Sequence, residues 1–194
     1  EYRNYFYFHT TATRRRDIMQ DEKNASRIEK ELLMPMLERS VSFFNNDMGI
    51  SVTSKSSEVV CPKQVELKKN TAMVGTGGTI QVIITMSYND ILLEKLVEAF
   101  LEGEEPEEEE MDELRESVSS EIVNIIVGNS LTNPVDGTLL TLTPPVLIYE
   151  AKSLFRHKSS GIATATIVTE FGDMLLTVIG PKESFADELN FKEL

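Results

Sequence analysis

Two runs near the end of the chain, GIATATIVTE and MLLTVIG, alternate apolar with polar residues about Phe171-Gly172-Asp173. Successive strand side chains point to opposite faces, so alternation on both sides of a glycine-bearing break predicts a β-hairpin. A hairpin commits the fold to an antiparallel sheet. Upstream, TIQVIITMS is rich in β-branched residues and predicts a buried strand. Gly75-Thr76-Gly77-Gly78 before it reads as a tight turn. It lacks the Gly-Lys-Ser/Thr ending of a phosphate-binding P-loop, so a hairpin turn is favoured over a phosphate cradle. Residues 50–60 and 65–74 read as further strands. Residues 138–143 and 146–150 are strand-like on either side of Pro144-Pro145, a pair that marks a bulge, an edge or a turn.

Three stretches carry helical spacing instead. Ile28, Leu32, Leu33, Met36, Leu37 and Val41 recur every three or four residues, up to Phe43 and Phe44, and Asn45, Asn46, Asp47 and Gly49 should break that helix. A second helix is expected from residue 88 or 89 to 101, with Ile91, Leu92, Leu96, Val97 and Phe100 inside. The acidic segment EGEEPEEEEMDE then reads as a solvated linker whose carboxylates suit the positive end of the next helix dipole. A calcium site is the sharper alternative, but the alternating ligands and glycine of an EF-hand loop are missing. The third helix holds SVSSEIVNIIVGN and should end near Gly128 and Asn129. Helices and hairpins are segregated rather than alternating singly. That predicts an α+β fold, with a largely antiparallel sheet packed with long helices.

Composition narrows the function. The chain has 194 residues, 41% of them hydrophobic, enough for one domain with a real core. A net charge of −13 argues against nucleic acid, which needs clustered Lys and Arg, and against an anionic membrane surface. Cys61 is the only cysteine, and His9 and His157 are the only histidines, which leaves no internal disulfide and no cysteine-based or histidine-based metal centre. No apolar run reaches the roughly 18 residues that span a bilayer. A cytoplasmic protein without a bound metal is expected. The chain starts EYRNYFYFHTTATRRR, without an initiator methionine, as a fragment or processed form would. Its aromatic and basic residues read as a tail or terminal strand rather than a nucleic-acid strip. Residues 1–24 are therefore taken as an N-terminal extension and 25–194 as the domain.

Ser117, Glu121 and Asn124 stand at i, i+4 and i+7 in the third helix. At roughly 100° per residue they share a narrow arc, beside an apolar arc of Leu114, Val118, Ile122, Ile125 and Ile126. A polar trio at that spacing is either the wet face of an amphipathic helix or a carboxylate and carboxamide held out for chemistry on a second molecule.

The order of elements, the motif Ser117-x3-Glu121-x2-Asn124 with Ile126, Gly128 and Asn129, and the following Thr143-Pro144-Pro145 resemble the chemotaxis phosphatases CheC, CheX and FliY, most of all CheX. The likeness runs from about residue 25 to about 181. Ser120 stands where members often carry glycine, and a single Glu-x2-Asn copy fits a CheX-like form with one site per subunit. The resemblance implies hydrolysis of the aspartyl phosphate of a CheY-like response regulator. It makes Asn124 the group that positions the attacking water and Glu121 the group that docks the regulator's lysine. Ser117, Gly128, Asn129, Pro144 and Pro145 would be supporting or partner-binding. It further implies a homodimer, no metal bound by this chain and Mg2+ carried by the regulator. The same fold can also serve as a non-catalytic regulator-binding or dimerisation module.

Overall fold

The computed structural model describes residues 28–58, 63–78, 80–103, 106–130 and 141–185. Residues 1–27, Cys61 and residues 131–140 lie outside them. Three helices pack on an antiparallel sheet: α1 (Met34–Ser42), α2 (Asp90–Phe100) and α3 (Met111–Ser130). The strands are β1 (Val52–Glu58), β2 (Gln64–Glu66), β3 (Asn70–Gly77), β4 (Ile83–Tyr88), β5 (Thr141–Leu142), β6 (Val146–Ile148), β7 (Ser153–Phe155), β8 (Ser160–Thr169) and β9 (Gly172–Pro181). The main sheet runs β1-β8-β9-β4-β3-β5, with β6 also on β3, and β2 pairs with β7 in a separate ribbon. The expected α+β architecture is thus observed. Among the described residues no helix is long and apolar enough to cross a membrane.

Register builds the core. Ala72 faces Met86, Val74 faces Ile84, Met86 faces Leu176, and Leu176 faces Ala165, so one face of four neighbouring strands is apolar. The three helices cover that face and bury Leu33, Met36 and Leu37 of the first helical stretch, Leu92, Leu93, Leu96 and Val97 of α2, and Val118, Ile122, Val123, Ile126 and Val127 of α3. Burying each such side chain stabilises the fold by about 1.5–3 kcal/mol. Tyr88 sits wholly inside, where, among the described residues, its hydroxyl donates to Met86 Sδ at 3.6 Å and burial drives its phenol far above the usual range. Sulfur is a weak acceptor, so little is lost with that hydroxyl. Tyr88→Phe is therefore expected to stay within about 1 kcal/mol of the wild type in a denaturant titration.

Several local expectations are corrected. Asn45, Asn46 and Asp47 do not break the first helix; they continue it as a wide π turn (Phe43–Asp47). Arg39 pairs with Asp47 at 2.9 Å, and Asn46 donates to Ser42 Oγ, which holds those residues helical until Gly49 turns the chain at φ +67°. In α2, Ile91 is 58% exposed and Leu93 takes the inner position assigned to it. Asn89 caps that helix by accepting from Ile91 N, and Leu92, Leu96 and Val97 are buried as expected.

Residues 65–74 are not one strand. The chain leaves β2 at Glu66 and enters β3 only at Asn70. Gly75, Thr76 and Gly77 are not a turn but the last residues of β3, and the reversal begins at Gly78, at φ +106°. Their small size has a different cause. A Cβ on Gly75 would lie 3.3 Å from Thr143 Cγ2, and one on Gly77 would lie 2.7 Å from Thr141 Oγ1. The glycines let the proline-bearing edge segment lie close against β3. At the other hairpin the loop is Glu170-Phe171, because Thr169 and Gly172 already pair. Gly172, at φ +120°, leaves room for the Asn89 side chain that caps α2.

Candidate functional site

The polar trio lies on α3, a helix of 20 residues preceded by a short 3-10 turn at Glu108–Glu110. Six carboxylates, from Glu108 to Glu110 and at Asp112, Glu113 and Glu116, crowd its first turns, the end where a helix dipole favours negative charge. Buried Val118, Ser119, Ile122, Val123, Ile126 and Val127 fix the inner face, and Leu114 and Ile125 pack half-buried beside it. Ser119 enters this apolar face because its hydroxyl donates back to Arg115 O at 2.6 Å. With that face pinned, Ser117, Glu121 and Asn124 are all exposed on the opposite side, as their spacing predicts. Glu121 and Asn124 are separated by about 4.5 Å of helix rise.

Gly128 continues the same exposed arc, at i+4 from Asn124. It is not a helix-ending glycine, because α3 continues to Ser130, whose hydroxyl donates to Ile126 O. A Cβ at Gly128 would meet nothing within 4 Å, so the missing side chain opens space beside Asn124. Asn129 is exposed on the flank.

Pro144 and Pro145 lie on the sheet edge, between β5 and β6. Leu142 faces Thr76 and Val146 faces Met73, so three residues, 143–145, oppose the two residues 74 and 75. This is a bulge on an edge strand, where the missing proline N–H costs no ladder bond. Thr143 anchors it: its N–H donates to Gly75 O and its Oγ1 accepts from Gly75 N, both at 2.9 Å. The bulge leads into β6, a strand that packs on α3. The structure thus brings Ser117, Glu121, Asn124 and Gly128 onto one helix face and sets the two prolines at the start of a strand beside that helix.

A model of the chemotaxis phosphatase CheX family matches residues 70–168, just over half of the chain and inclusive of α3 and the proline bulge. The chain belongs to the CheX family. No curated protein sequence matches it, but solved CheX structures share its fold at low identity. CheX from Desulfovibrio desulfuricans is 16% identical with a TM-score of 0.62, over 80% of this chain and 99% of that one. A CheC-like protein from a Shewanella species is 13% identical with a TM-score of 0.63, over 77% and 97%. The CheX in a CheX–CheY–BeF3–Mg2+ complex from Borrelia burgdorferi is 17% identical with a TM-score of 0.60, over 75% and 95%.

Within this CheX-family chain, sequence reasoning missed a polar network at the start of α3. Arg115 Nη2 donates to Glu94 of α2 and Nη1 to Asp112, both at 2.9 Å, while Tyr149 after β6 donates its hydroxyl to Asp112 O at 3.0 Å. Partial burial pushes the Tyr149 phenol up, the Asp112 and Glu116 carboxylates push it further, and the Arg115 guanidinium opposes them. Asp112 and Arg115 stand at i and i+3, a pairing legible in the sequence. Glu94 and Tyr149 lie 21 and 37 residues from their partners, and no local pattern points to them.

Proposed function

We propose that this chain hydrolyses the aspartyl phosphate of a CheY-like response regulator, with Asn124 positioning the attacking water and Glu121 docking the regulator's lysine. The observation that carries it is the exposure of a carboxylate and a carboxamide, one turn apart, on a helix whose opposite side is locked into the core. Phosphoryl transfer asks for positioning and charge stabilisation more than covalent help. A carboxamide both donates and accepts, so Asn124 can hold a water in line with the phosphorus–oxygen bond without adding negative charge beside the phosphoryl oxygens. Glu121 carries the charge that fits a lysine. Gly128, with open space where a side chain would be, allows the regulator's surface to approach this face closely. Ser117 adds a small polar contact toward the helix start, and Asn129, Pro144 and Pro145 border or support the docking face. On this proposal the protein acts in the cytoplasm as a homodimer, holds no metal itself, and meets Mg2+ only in the regulator.

The decay of phosphate on a purified CheY-like regulator tests it. Substoichiometric protein should accelerate that decay over many turnovers. An unchanged phosphate lifetime, with binding demonstrated in parallel, would leave a docking module instead. Glu121→Ala should raise KM about tenfold and make the reaction less sensitive to salt, because complementary charge governs encounter and orientation. An unaltered KM and salt dependence would remove Glu121 from the docking surface.

A further inference from the structure

Arg115 is the only basic residue between positions 106 and 130, a stretch dense in carboxylates. Its side chain is 27% exposed, and its guanidinium is shared between two more exposed carboxylates: Glu94 on the neighbouring helix and Asp112 within α3. Asp112 is in turn held from the other flank, where the Tyr149 hydroxyl reaches its backbone carbonyl. The start of α3 is thus tied to α2 on one side through Arg115, and to the residue after β6 on the other through the Asp112 carbonyl.

The apolar anchoring of α3 is uneven. Its fully buried side chains begin only at Val118, and Met111 and Leu114 before it are half-buried. Asn124 lies between Val123 and Ile126, inside the firmly packed section; Glu121, between Ser119 and Ile122, lies near its start, and Ser117 precedes it. Without ties at its start, a helix end with few buried contacts opens locally far more often than its packed centre. Glu113 and Glu116 repel each other at i and i+3, which offsets part of what the helix dipole gains from them.

We infer that Arg115 is the positioning residue of the docking surface: it holds the first turns of α3 so that Ser117 and Glu121 meet the regulator in a fixed geometry. This rests on the regulator-phosphatase proposal above, and adds that docking and water positioning are separable along one helix. On this inference Arg115 acts through α3 rather than on the phosphate or the water. Its loss acts on KM through Ser117 and Glu121 and leaves kcat, which depends on Asn124, nearly unchanged.

The test compares Arg115→Met, which keeps an apolar stem and removes the fork, with Arg115→Lys, which keeps one charge but cannot grip two carboxylates in the same planar geometry. Amide hydrogen exchange of the full protein should speed up about fivefold for residues 115–121 in Arg115→Met and stay unchanged for 122–127. With a CheY-like regulator charged with acetyl phosphate, KM should rise about fivefold with kcat within about twofold, and Arg115→Lys should recover part of both effects. Unchanged exchange at 115–121 would overturn the inference, as would a fall in kcat with KM unaltered. Wild-type protein that fails to shorten the phosphate lifetime would count against the phosphatase proposal alone, because the exchange comparison still decides whether Arg115 holds the helix.

Discussion

Replacing Asn124 by alanine is expected to abolish most of the catalysis and none of the fold. Groups that only position a reactant commonly supply on the order of 10²-fold in rate or more, equivalent to about 2.7 kcal/mol of barrier. Asn124 is exposed. Alanine is the better helix former by about 0.5 kcal/mol, so the melting temperature should hold or rise slightly. Asn124→Asp sharpens the expectation. It keeps the shape of the side chain but sets a carboxylate against the phosphoryl oxygens, and should lose as much rate as alanine does. Initial rates at saturating phosphorylated regulator, beside thermal melts of the same samples, measure both quantities. A variant that keeps the wild-type kcat would exclude the water-positioning role.

Two residues further along the same helix, Ile126→Ala should do the opposite. Ile126 is fully buried in the core that joins the helices to the sheet. Removing three carbons there costs the transfer free energy and leaves a cavity, together about 2–5 kcal/mol. For a protein of this size that corresponds to a fall in melting temperature of roughly 5–15 °C. Well below that temperature the remaining folded molecules present Asn124 and Glu121 as before, so activity per folded molecule should be close to normal. A melt shift under about 1 kcal/mol would mean that α3 is not pinned by this face, and the exposure of the trio would then lose its structural cause. The pair of substitutions thus separates the two faces of one helix, one reporting chemistry and the other cohesion.

Much of this was legible in the chain. The period of α3 placed Ser117, Glu121 and Asn124 on one arc because 3.6-residue geometry leaves little freedom once the apolar residues are committed to the core. The β8–β9 hairpin followed from its period of two, although its loop fell one residue early, since the pairing of Thr169 with Gly172 is settled by register rather than by the glycine's position. Other features misled. Gly75 and Gly77 looked like turn residues, yet they serve a strand that must admit Thr143 and Thr141 at close range. Asn45 to Asp47 looked like helix breakers, yet Arg39 and Ser42 supply partners that keep the turn wound. In both cases local propensity yielded to a contact made elsewhere in the structure.

By itself, the sequence determined the periods of α3 and of the β8–β9 hairpin, and with them the wet and dry faces of α3, because periodicity is a local property of a chain that must bury its apolar side chains. It also carried the resemblance to CheX, the family whose model matches residues 70–168. Only the tertiary structure decided what surrounds the motif: the threonine-anchored proline bulge on β3, the strand β6 set against α3, and the grip of Arg115 on Glu94 and Asp112 with Tyr149 on the far flank. Those partners are distant in the chain, and a hydrogen bond depends on positions fixed to within tenths of an ångström. Such placement arises only when the whole core has packed, which is why the helix face could be read from the sequence and its fastening could not.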